Sequence, residues 1–449
     1  MTLPALNVET VGREMYSLAE NLFPICRSMT GAGVRETLVR LQEHVPLEIH
    51  EVPTGTKVFD WEIPKEWNIR DAFIKGSNGR RILDFRQSNL HVVSGSVPIN
   101  ETMHWSRLKD HLHTLPEQPD LIPYRTCFHD EGWGFSLPHV LFEALQAAGD
   151  NAYEVCIDSS WQDGSLTYGE VFLPGESDDE VLLTTHVCHP SLANDNLSGI
   201  AVATYLAQWL AKIPRRYSYR VIYIPATIGA ITWLSLNQNR VDKIKHGLVL
   251  ALLGDAGCST YRKCRREDAE INRVVSHVLA HAGADFRVSR FEPFGYDQRQ
   301  FCSPGFDLPI GCLMRSPDGG FSEYHTSADN LQFIHPDYLA DSLRKCVEIV
   351  KVLEGNRTYI NQNPRCEPRL GKRGLYRAFG CDEDQIRLQQ AVLWVLNLSD
   401  GEYSLLDIAV RSESSFGEIR RAADTLVSCG LLEEKLPGDK CQKSNNVAP

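Results

Sequence analysis

The chain has 449 residues, of which 43% are hydrophobic and 23% are charged. This composition is typical of a globular protein of about two to four domains, and it excludes collagen-like repeats, long disordered arms and disulfide miniproteins. The formal net charge of −12 argues against unaided nucleic-acid binding and against a polybasic membrane anchor, since both need clustered Lys and Arg.

The predicted core combines residues 1–44 with residues 131–365. Residues 8–44 carry apolar side chains at helical spacing, and from residue 131 strand-like segments alternate with helix-like ones. Such alternation predicts an α/β domain with a mixed sheet flanked by helices. In sheets of this kind, functional side chains gather where the strands end.

Two further domains are predicted around this core. Residues 45–130 hold short alternating apolar segments separated by Pro and Gly, which indicates a small inserted β-rich domain. Residues 375–436 are predicted to form a winged-helix-like domain from two helices, a turn and a third helix. Because 385–436 hold eight Asp or Glu against five Lys or Arg, we expect packing or homo-oligomer contacts there rather than DNA reading.

The thirteen cysteines are scattered and form no CxxC pair. This distribution predicts a cytoplasmic protein with mostly buried thiols rather than a disulfide framework or a zinc ribbon. The first residues lack the basic start and apolar run of a secretion signal, and no apolar stretch reaches the ~18–20 residues of a membrane span.

The densest polar segment is TTHVCHPSLANDNLSG at 184–199, which follows an apolar strand and precedes a helix. His186, Cys188, His189, Asp195 and Asn196 are its potential metal ligands. Imidazole and carboxylate groups suit zinc, and a catalytic zinc site keeps one position for water. The alternative is a loop whose Asn and Asp side chains cap the following helix, and Cys188 is better explained as buried filler.

Other candidate ligands follow other strands. Asp255 ends the apolar segment GLVLALLGD, where an aspartate is costly unless it is hydrogen-bonded or binds metal. His325 lies in GGFSEYHTSADN at 319–330. The segment PFGYDQRQF contains four polar residues that either line a pocket or close a loop. They are Tyr296, Asp297, Gln298 and Arg299.

These segments resemble the M28-type zinc aminopeptidase fold. DNLSG at 195–199, GD at 254–255, DQRQF with GFDLP at 297–309, and YHTSAD at 324–329 follow the order of that family's motifs. The resemblance implies zinc bound by His186, Asp195, Asp255 and His325, with His189 as an alternative to His186. More closely, about residues 10–436 resemble bacterial aminopeptidase-like proteins of the DUF4910/DUF2172 type, with an inserted β domain and a C-terminal winged helix.

The chain departs from the resembled pattern at two carboxylates. The family reads Pro-Glu-Thr-Ile-Gly where this chain has Ala226, and Tyr-Asp-Glu-Arg-Gln where it has Gln298. The first Glu is the general base, and neither Ala226 nor its neighbour Thr227 replaces it or the Glu ligand beside it. A single zinc ion is therefore favoured, with two as the alternative.

Three explanations stay open. In the first, Glu323 serves as the base of a hydrolase, and Gln298 and Tyr296 stabilise the oxyanion. In the second, the pocket binds a ligand or performs other chemistry. In the third, the chain is an inactivated variant. The predicted function is a zinc-dependent hydrolase of an amide or peptide-like bond in a small amino-acid-containing substrate. The alternative is an inactive metal-pocket protein, and an acidic transcriptional regulator is a weaker third.

Several residues are candidates for binding the substrate. Cationic side chains suit a substrate carboxylate, whereas surface ion pairs are the alternative for each of them. The candidates for substrate binding are Arg27, Arg299, Tyr324, His189 and Asp297, with Arg35 a further cation.

Overall fold

A computed structural model describes residues 8–128, 131–317, 319–375 and 383–435 of the chain. The described residues divide into two compact units: the first runs up to Ser276 and resumes over Ala284–Cys346, and the second comprises His277–Gly283 and the described residues from Val347 onward. Among the described helices, none has both the length and the apolar character needed to cross a membrane.

The α-helices are numbered in chain order. They are α1 Val8–Leu22, α2 Ala32–Gln42, α3 Trp105–Leu108, α4 His139–Ala147, α5 Gly199–Ala211, α6 Ile228–Leu236, α7 Glu270–Ala280, α8 Gln298–Phe301, α9 Pro336–Gly355, α10 Glu383–Leu398, α11 Leu405–Arg411 and α12 Phe416–Ser428.

The strands are numbered in the same way. They are β1 Glu48–Pro53, β2 Lys57–Val58, β3 Trp61–Glu62, β4 Glu66–Lys75, β5 Arg81–Asp84, β6 Ile99–His104, β7 Leu112–His113, β8 Phe135–Ser136, β9 Ala152–Gln162, β10 Ser165–Leu173, β11 Glu180–His186, β12 Ser218–Ile224, β13 Ile244–Leu250, β14 Ser259–Arg262, β15 Phe286–Ser289, β16 Ile310–Met314, β17 Thr358–Asn361, β18 Asp400–Ser404 and β19 Leu432–Glu434.

An eight-stranded mixed sheet organises the first unit, in the order β1-β10-β12-β11-β13-β16-β14-β15. Its four central strands, β12, β11, β13 and β16, run parallel, and every residue of β11 and β12 is buried. Strands buried on both faces read as continuous apolar runs, which is why these segments were identifiable. Because they are parallel, their carboxyl ends meet at one edge of the sheet.

A smaller sheet has the order β5-β4-β9-β6, and it shows that two predicted domain boundaries are wrong. Strand β1 at 48–53 lies inside the predicted insertion, yet it pairs with β10 at the edge of the main sheet. Strand β9 at 152–162 lies beyond residue 130, yet it is central in the small sheet. Alternating apolar residues identify a strand but not its partner, because pairing is decided by distant segments.

A short hairpin of β2 and β3 belongs to neither sheet and lies against α6. Val58 is fully buried and shares a buried apolar cluster with Ile228 and Ile231. Backbone hydrogen bonds from Ile63 N to Thr56 O and from Gly55 N to Ile63 O, both 2.9 Å, hold its base. The hairpin is thereby placed beside the segment that follows β12.

The second unit contains a three-stranded antiparallel sheet, β18-β17-β19, and helices α10, α11 and α12. Ser404 with Asp407 and Ser415 with Glu418 form capping boxes at the starts of α11 and α12. Strand β17 at 358–361 belongs to this sheet, so the predicted start at residue 375 and the predicted core end at 365 are wrong. A four-residue strand gives too weak a local pattern to be assigned without its partners.

Candidate metal centre

The site begins where two parallel strands end side by side. His186 is the last residue of β11 and pairs in register with Ile224, the last residue of β12. Ala226 follows β12 by two residues, immediately before α6. The strand ends therefore bring the HVCHP segment and the Ala226 position to the same edge of the sheet.

Three imidazoles surround the carboxylate of Asp195. His186 Nε2 lies 2.8 Å from Asp195 Oδ1, and His325 Nε2 lies 3.1 Å from Asp195 Oδ2. His189 Nε2 lies 3.8 Å from the same Oδ2. The Asp195 side chain is fully buried and that of His325 is 35% exposed, so the cluster has one accessible side.

The donor set fits a zinc ion. Ligand atoms of His186, His189 and Asp195 all lie within 4.8 Å of one another. Atoms that surround zinc tetrahedrally at about 2.0–2.1 Å are separated by about 3.3–3.4 Å, and the measured separations of 2.8, 3.1 and 3.8 Å bracket that value. Two imidazoles and one carboxylate are ligand types that zinc prefers, whereas His325 contacts Asp195 but lies outside the set whose atoms are all within 4.8 Å of one another.

Burial and the neighbouring rings set the protonation of the cluster. Burial opposes ionisation of Asp195, but His189, His186 and His325 hold the pKa of its carboxyl well below the usual range. Burial lowers the pKa of His189 to about 3, against the attraction of Asp195. A neutral imidazole beside an ionised carboxylate is the protonation state that metal binding requires.

The loop of Asp195 is fixed from behind by Asp329. Its carboxylate accepts hydrogen bonds from the backbone N–H groups of Asn194 at 2.6 Å and Asp195 at 2.9 Å. Burial raises the pKa of Asp329 to about 8 despite these donors. Asn196 Nδ2 donates to Thr185 Oγ1 and to the carbonyl of His186, which ties the loop to β11.

The structure does not bring Asp255 into this cluster, so its geometry does not support the predicted role as a metal ligand. Its Oδ2 accepts from Asn194 Nδ2 at 2.8 Å, and its Oδ1 accepts from Ser316 Oγ and Gly257 N, each at 2.6 Å. These donors already satisfy the buried carboxylate. The sequence correctly indicated that burying the Asp255 carboxylate is costly unless it is compensated. In the structure, hydrogen bonds rather than a metal provide that compensation.

Arg27 is buried and contacts the backbone, so its geometry does not support the predicted substrate contact. Its guanidinium donates to the carbonyls of His189 at 2.7 Å, Pro190 at 2.9 Å and Leu22 at 2.6 Å. Burial lowers its pKa to about 10. Arg27 thus positions the loop that carries His189, and each of its three side-chain nitrogens donates one hydrogen bond to a backbone carbonyl.

Arg35 likewise forms an ion pair rather than facing the cavity. Its guanidinium donates to both carboxylate oxygens of Glu66, at 2.7 and 2.5 Å, and to Glu51. The pair with Glu66 joins α2 to the first residue of β4. For Arg35, the structure therefore favours an ion pair over a contact with the substrate.

The segment from Tyr296 to Arg299 lies behind His186. The Tyr296 ring stacks on the His186 ring with centroids 5.2 Å apart and planes at 18°. Burial raises the pKa of Asp297 to about 6, opposed by the charges of His186 and Arg299. Gln298 is fully buried, and its Nε2 lies 3.4 Å from Phe294 O. These residues support the metal cluster from within, and none of them lines the cavity described below.

Tyr324 and Glu323 flank His325. Tyr324 stacks on the His325 ring with centroids 4.0 Å apart. The Glu323 carboxylate accepts from Ser322 Oγ at 3.0 Å and does not line the cavity. The structure therefore does not support Glu323 as the general base.

A cavity of about 380 Å³ opens at the accessible side of the cluster. Ala226 and Thr227 lie on its wall with two histidines of the cluster, and aromatic and apolar side chains form most of the rest. The described lining residues are Met29, Trp61, Glu62, Pro64, Tyr124, Thr126, Phe128, Cys188, His189, Ala226, Thr227, Ile228 and His325.

Tyr124 is a site residue that sequence reasoning missed. Its ring meets those of His189 and His325 edge-on, with centroids 5.3 and 5.2 Å away, and its backbone N–H donates to the His325 carbonyl. Trp61, Glu62 and Phe128 were missed as well. The one available signal was the Pro-rich return LIPYRT, which brings the chain back to the core before residue 131.

Two family models match the chain. A domain of unknown function, DUF4910, matches residues 16–356, and a winged helix-turn-helix model matches residues 357–434. A Clostridium acetobutylicum protein named "Putative polysaccharide biosynthesis protein with aminopeptidase-like domain" is 52% identical over 427 residues, covering 95% of this chain and 98% of that protein. The predicted resemblance and the C-terminal winged helix are confirmed.

Solved structures share the fold. The crystal structure of a candidate peptidase from Clostridium acetobutylicum superimposes with a TM-score of 0.91 at 51% identity, covering 96% of this chain and 98% of that one. A zinc aminopeptidase from Bacillus subtilis gives 0.57 at 15% identity, covering 79% and 96%. The predicted M28-type α/β core is confirmed as a fold.

Proposed function

Because the chain belongs to the DUF4910 family, we propose that it is an aminopeptidase-like, zinc-dependent hydrolase of an amide or peptide-like bond in a small substrate. One observation carries the proposal: His186, His189 and His325 converge on the buried Asp195 beside an open cavity. The buried charge of a carboxylate can be compensated by fewer than three imidazoles. Three imidazoles around one carboxylate therefore suit metal binding better than a purely structural role.

The residues have separable roles in the proposed reaction. His186, His189 and Asp195 would hold the ion, and His325 beside Asp195 is a further candidate ligand. When bound there, zinc supplies Lewis-acid polarisation of the scissile carbonyl and a lowered pKa for the attacking water. Tyr296 and Tyr124 keep the imidazole rings oriented, and Asp329 holds the Asp195 backbone.

The cavity defines the kind of substrate that we propose. Its volume suits a small molecule, and the rings of Trp61, Tyr124 and Phe128 offer apolar surface to it. The Clostridium acetobutylicum relative is named for polysaccharide biosynthesis, so an amino-acid-containing or acylamino group attached to a sugar is a substrate class to test. A cytoplasmic location and homo-oligomer contacts of the winged helix belong to the same proposal.

Ala226 favours a second candidate, a metal-pocket protein that binds a small ligand without hydrolysing it. The position lies on the cavity wall and carries no carboxylate. A hydrolase lacking a proton-transfer group loses about 10²–10⁴ in rate. Only the hydrolase is expected to turn over an amide substrate, whereas both candidates are expected to bind a metal and a small ligand.

Elemental analysis combined with a substrate screen tests the proposal. We expect stoichiometric zinc in the purified chain and its loss in His186→Ala, whereas His104→Ala, at an exposed histidine, keeps it. Aminoacyl p-nitroanilides should be hydrolysed by the zinc-loaded chain and by His104→Ala. Zinc binding without turnover on any amide supports the second candidate, and the absence of zinc rejects both.

A further inference from the structure

One residue that lines the cavity carries a carboxylate and belongs to the β2–β3 hairpin rather than to the sheet edge. Among the described residues that line the cavity, Glu62 is the one with a carboxylate side chain. Ala226 and Thr227 line the same cavity. No described residue forms a hydrogen bond or ion pair with the Glu62 side chain, which is exposed to solvent. A carboxylate without a structural partner in a cavity beside a metal cluster is available for chemistry.

The hairpin holds Glu62 in place. Glu62 pairs with Lys57 across β2 and β3, and the next residue, Ile63, is buried. The N–H of Ile63 donates to the Thr56 carbonyl and its carbonyl accepts from Gly55 N–H, both in the segment before β2, and Thr54 Oγ1 donates to the carbonyl of Pro64. Val58 anchors the hairpin on α6, the helix that begins just after Ala226. The packed core therefore holds the backbone of the hairpin that carries Glu62.

Other acidic or thiol groups near the cluster are either engaged by hydrogen bonds or do not line the cavity. The Asp329 carboxylate accepts from two backbone N–H groups, and Asp297 is buried behind the cluster without lining the cavity. Cys188 lines the cavity, and its thiol is engaged by the Ala226 carbonyl and by His189 Nδ1, each 3.8 Å from Sγ.

We propose that Glu62, supplied by the hairpin, is the catalytic proton-transfer residue of this site, in the place of the glutamate that Ala226 lacks. The inference rests on the proposed hydrolase function. The oxygen of water forms a bond to the amide carbon while its proton passes to Glu62 and the carbonyl π pair moves to oxygen. Collapse then breaks the C–N bond, and Glu62 returns the proton to the departing nitrogen, which gives a carboxylic acid and an amine.

The test compares Glu62→Gln with Asp60→Asn in the zinc-loaded full chain. Asp60 is an exposed carboxylate of the same hairpin that does not line the cavity. On the best aminoacyl p-nitroanilide, we expect Glu62→Gln to lower kcat by about 10²–10⁴ and Asp60→Asn to leave it unchanged. Zinc content and thermal unfolding should be the same in all three proteins.

A second readout does not depend on turnover. Leucine hydroxamate loses a proton when it binds a metal, and calorimetry in buffers of different ionisation enthalpy counts the protons released. If Glu62 takes up that proton, Glu62→Gln should release about one more proton than the wild type, and Asp60→Asn should match the wild type.

The outcomes separate the inference from the proposed function. An active wild type whose kcat and proton count are unchanged in Glu62→Gln overturns the role of Glu62 and leaves the hydrolase standing. A zinc-loaded wild type that cleaves no amide overturns the hydrolase, and an unchanged proton count in Glu62→Gln then also rejects Glu62 as the proton acceptor.

Discussion

His186 and Asp195 lie nine positions apart in the chain, and their side chains meet in the buried interior with Nε2 and Oδ1 separated by 2.8 Å. His186 is held by the end of a buried parallel strand, whereas Asp195 is held by the loop before α5. The candidate metal centre is therefore built from one rigid strand end and one loop that Asp329 and Asn196 fasten to it.

The first prediction distinguishes the roles of Asp195 and Asp255, which the sequence indicates as candidate metal ligands. Asp195→Asn should abolish stoichiometric zinc binding, because the amide removes the charge around which the imidazoles converge. Asp255→Asn should leave zinc affinity unchanged and lower the free energy of unfolding by about 1–3 kcal/mol, because the new amide N–H₂ faces existing donors. Calorimetric zinc titration and urea unfolding check both variants. Loss of zinc in Asp255→Asn with a stable fold would contradict the assignment.

The second prediction concerns Arg27. Arg27→Lys should destabilise the chain by about 2–4 kcal/mol, because one ammonium group cannot donate to the carbonyls of Leu22, His189 and Pro190 together. We also expect weaker zinc binding, since the loop of His189 loses its support. Arg40→Lys, on the exposed side of α2, is the control and should change neither property. Equal stability of Arg27→Lys and wild type would show that the carbonyl contacts contribute little.

The third prediction is a pH dependence of stability. The hydrogen bonds from Arg35 lower the pKa of Glu66 from 4.5 to about 2. A depressed carboxyl pKa stabilises the folded state fully above the unfolded value, so this contribution is present above pH 4.5 and is lost as pH falls towards about 2. Glu66→Gln should therefore lose about 1–3 kcal/mol at pH 7 and show a flatter stability profile between pH 4.5 and 2. Parallel profiles for the two proteins would argue against the pair.

The fourth prediction restores a carboxylate at Ala226. In the Glu62→Gln background, Ala226→Glu should raise kcat at least about 10-fold, because a second wall of the same cavity then carries the proton-transfer group. In the wild-type background, it should change kcat by less than about 3-fold, since that role is already filled. Hydrolysis that appears only when Ala226→Glu is introduced into the otherwise wild-type chain would identify a non-hydrolytic binding protein.

The sequence by itself determined the features that depend on local pattern. Continuous apolar runs identified the buried parallel strands, and polar groups directly after them identified His186 and Asp195 as neighbours at one sheet edge. The YHTSAD segment added His325 through a family resemblance. Helical spacing likewise predicted the three helices of the second unit.

Only the tertiary structure decided which distant groups satisfy each buried charge. The carboxylate of Asp255 and the guanidinium of Arg27 looked functional in sequence, but Ser316, Asn194 and three backbone carbonyls engage them. Conversely, nothing in the sequence singles out Glu62, and it lines the cavity because the hairpin that carries it packs on α6. Local spacing sets the helices and strands, whereas long-range packing sets the partners of each side chain.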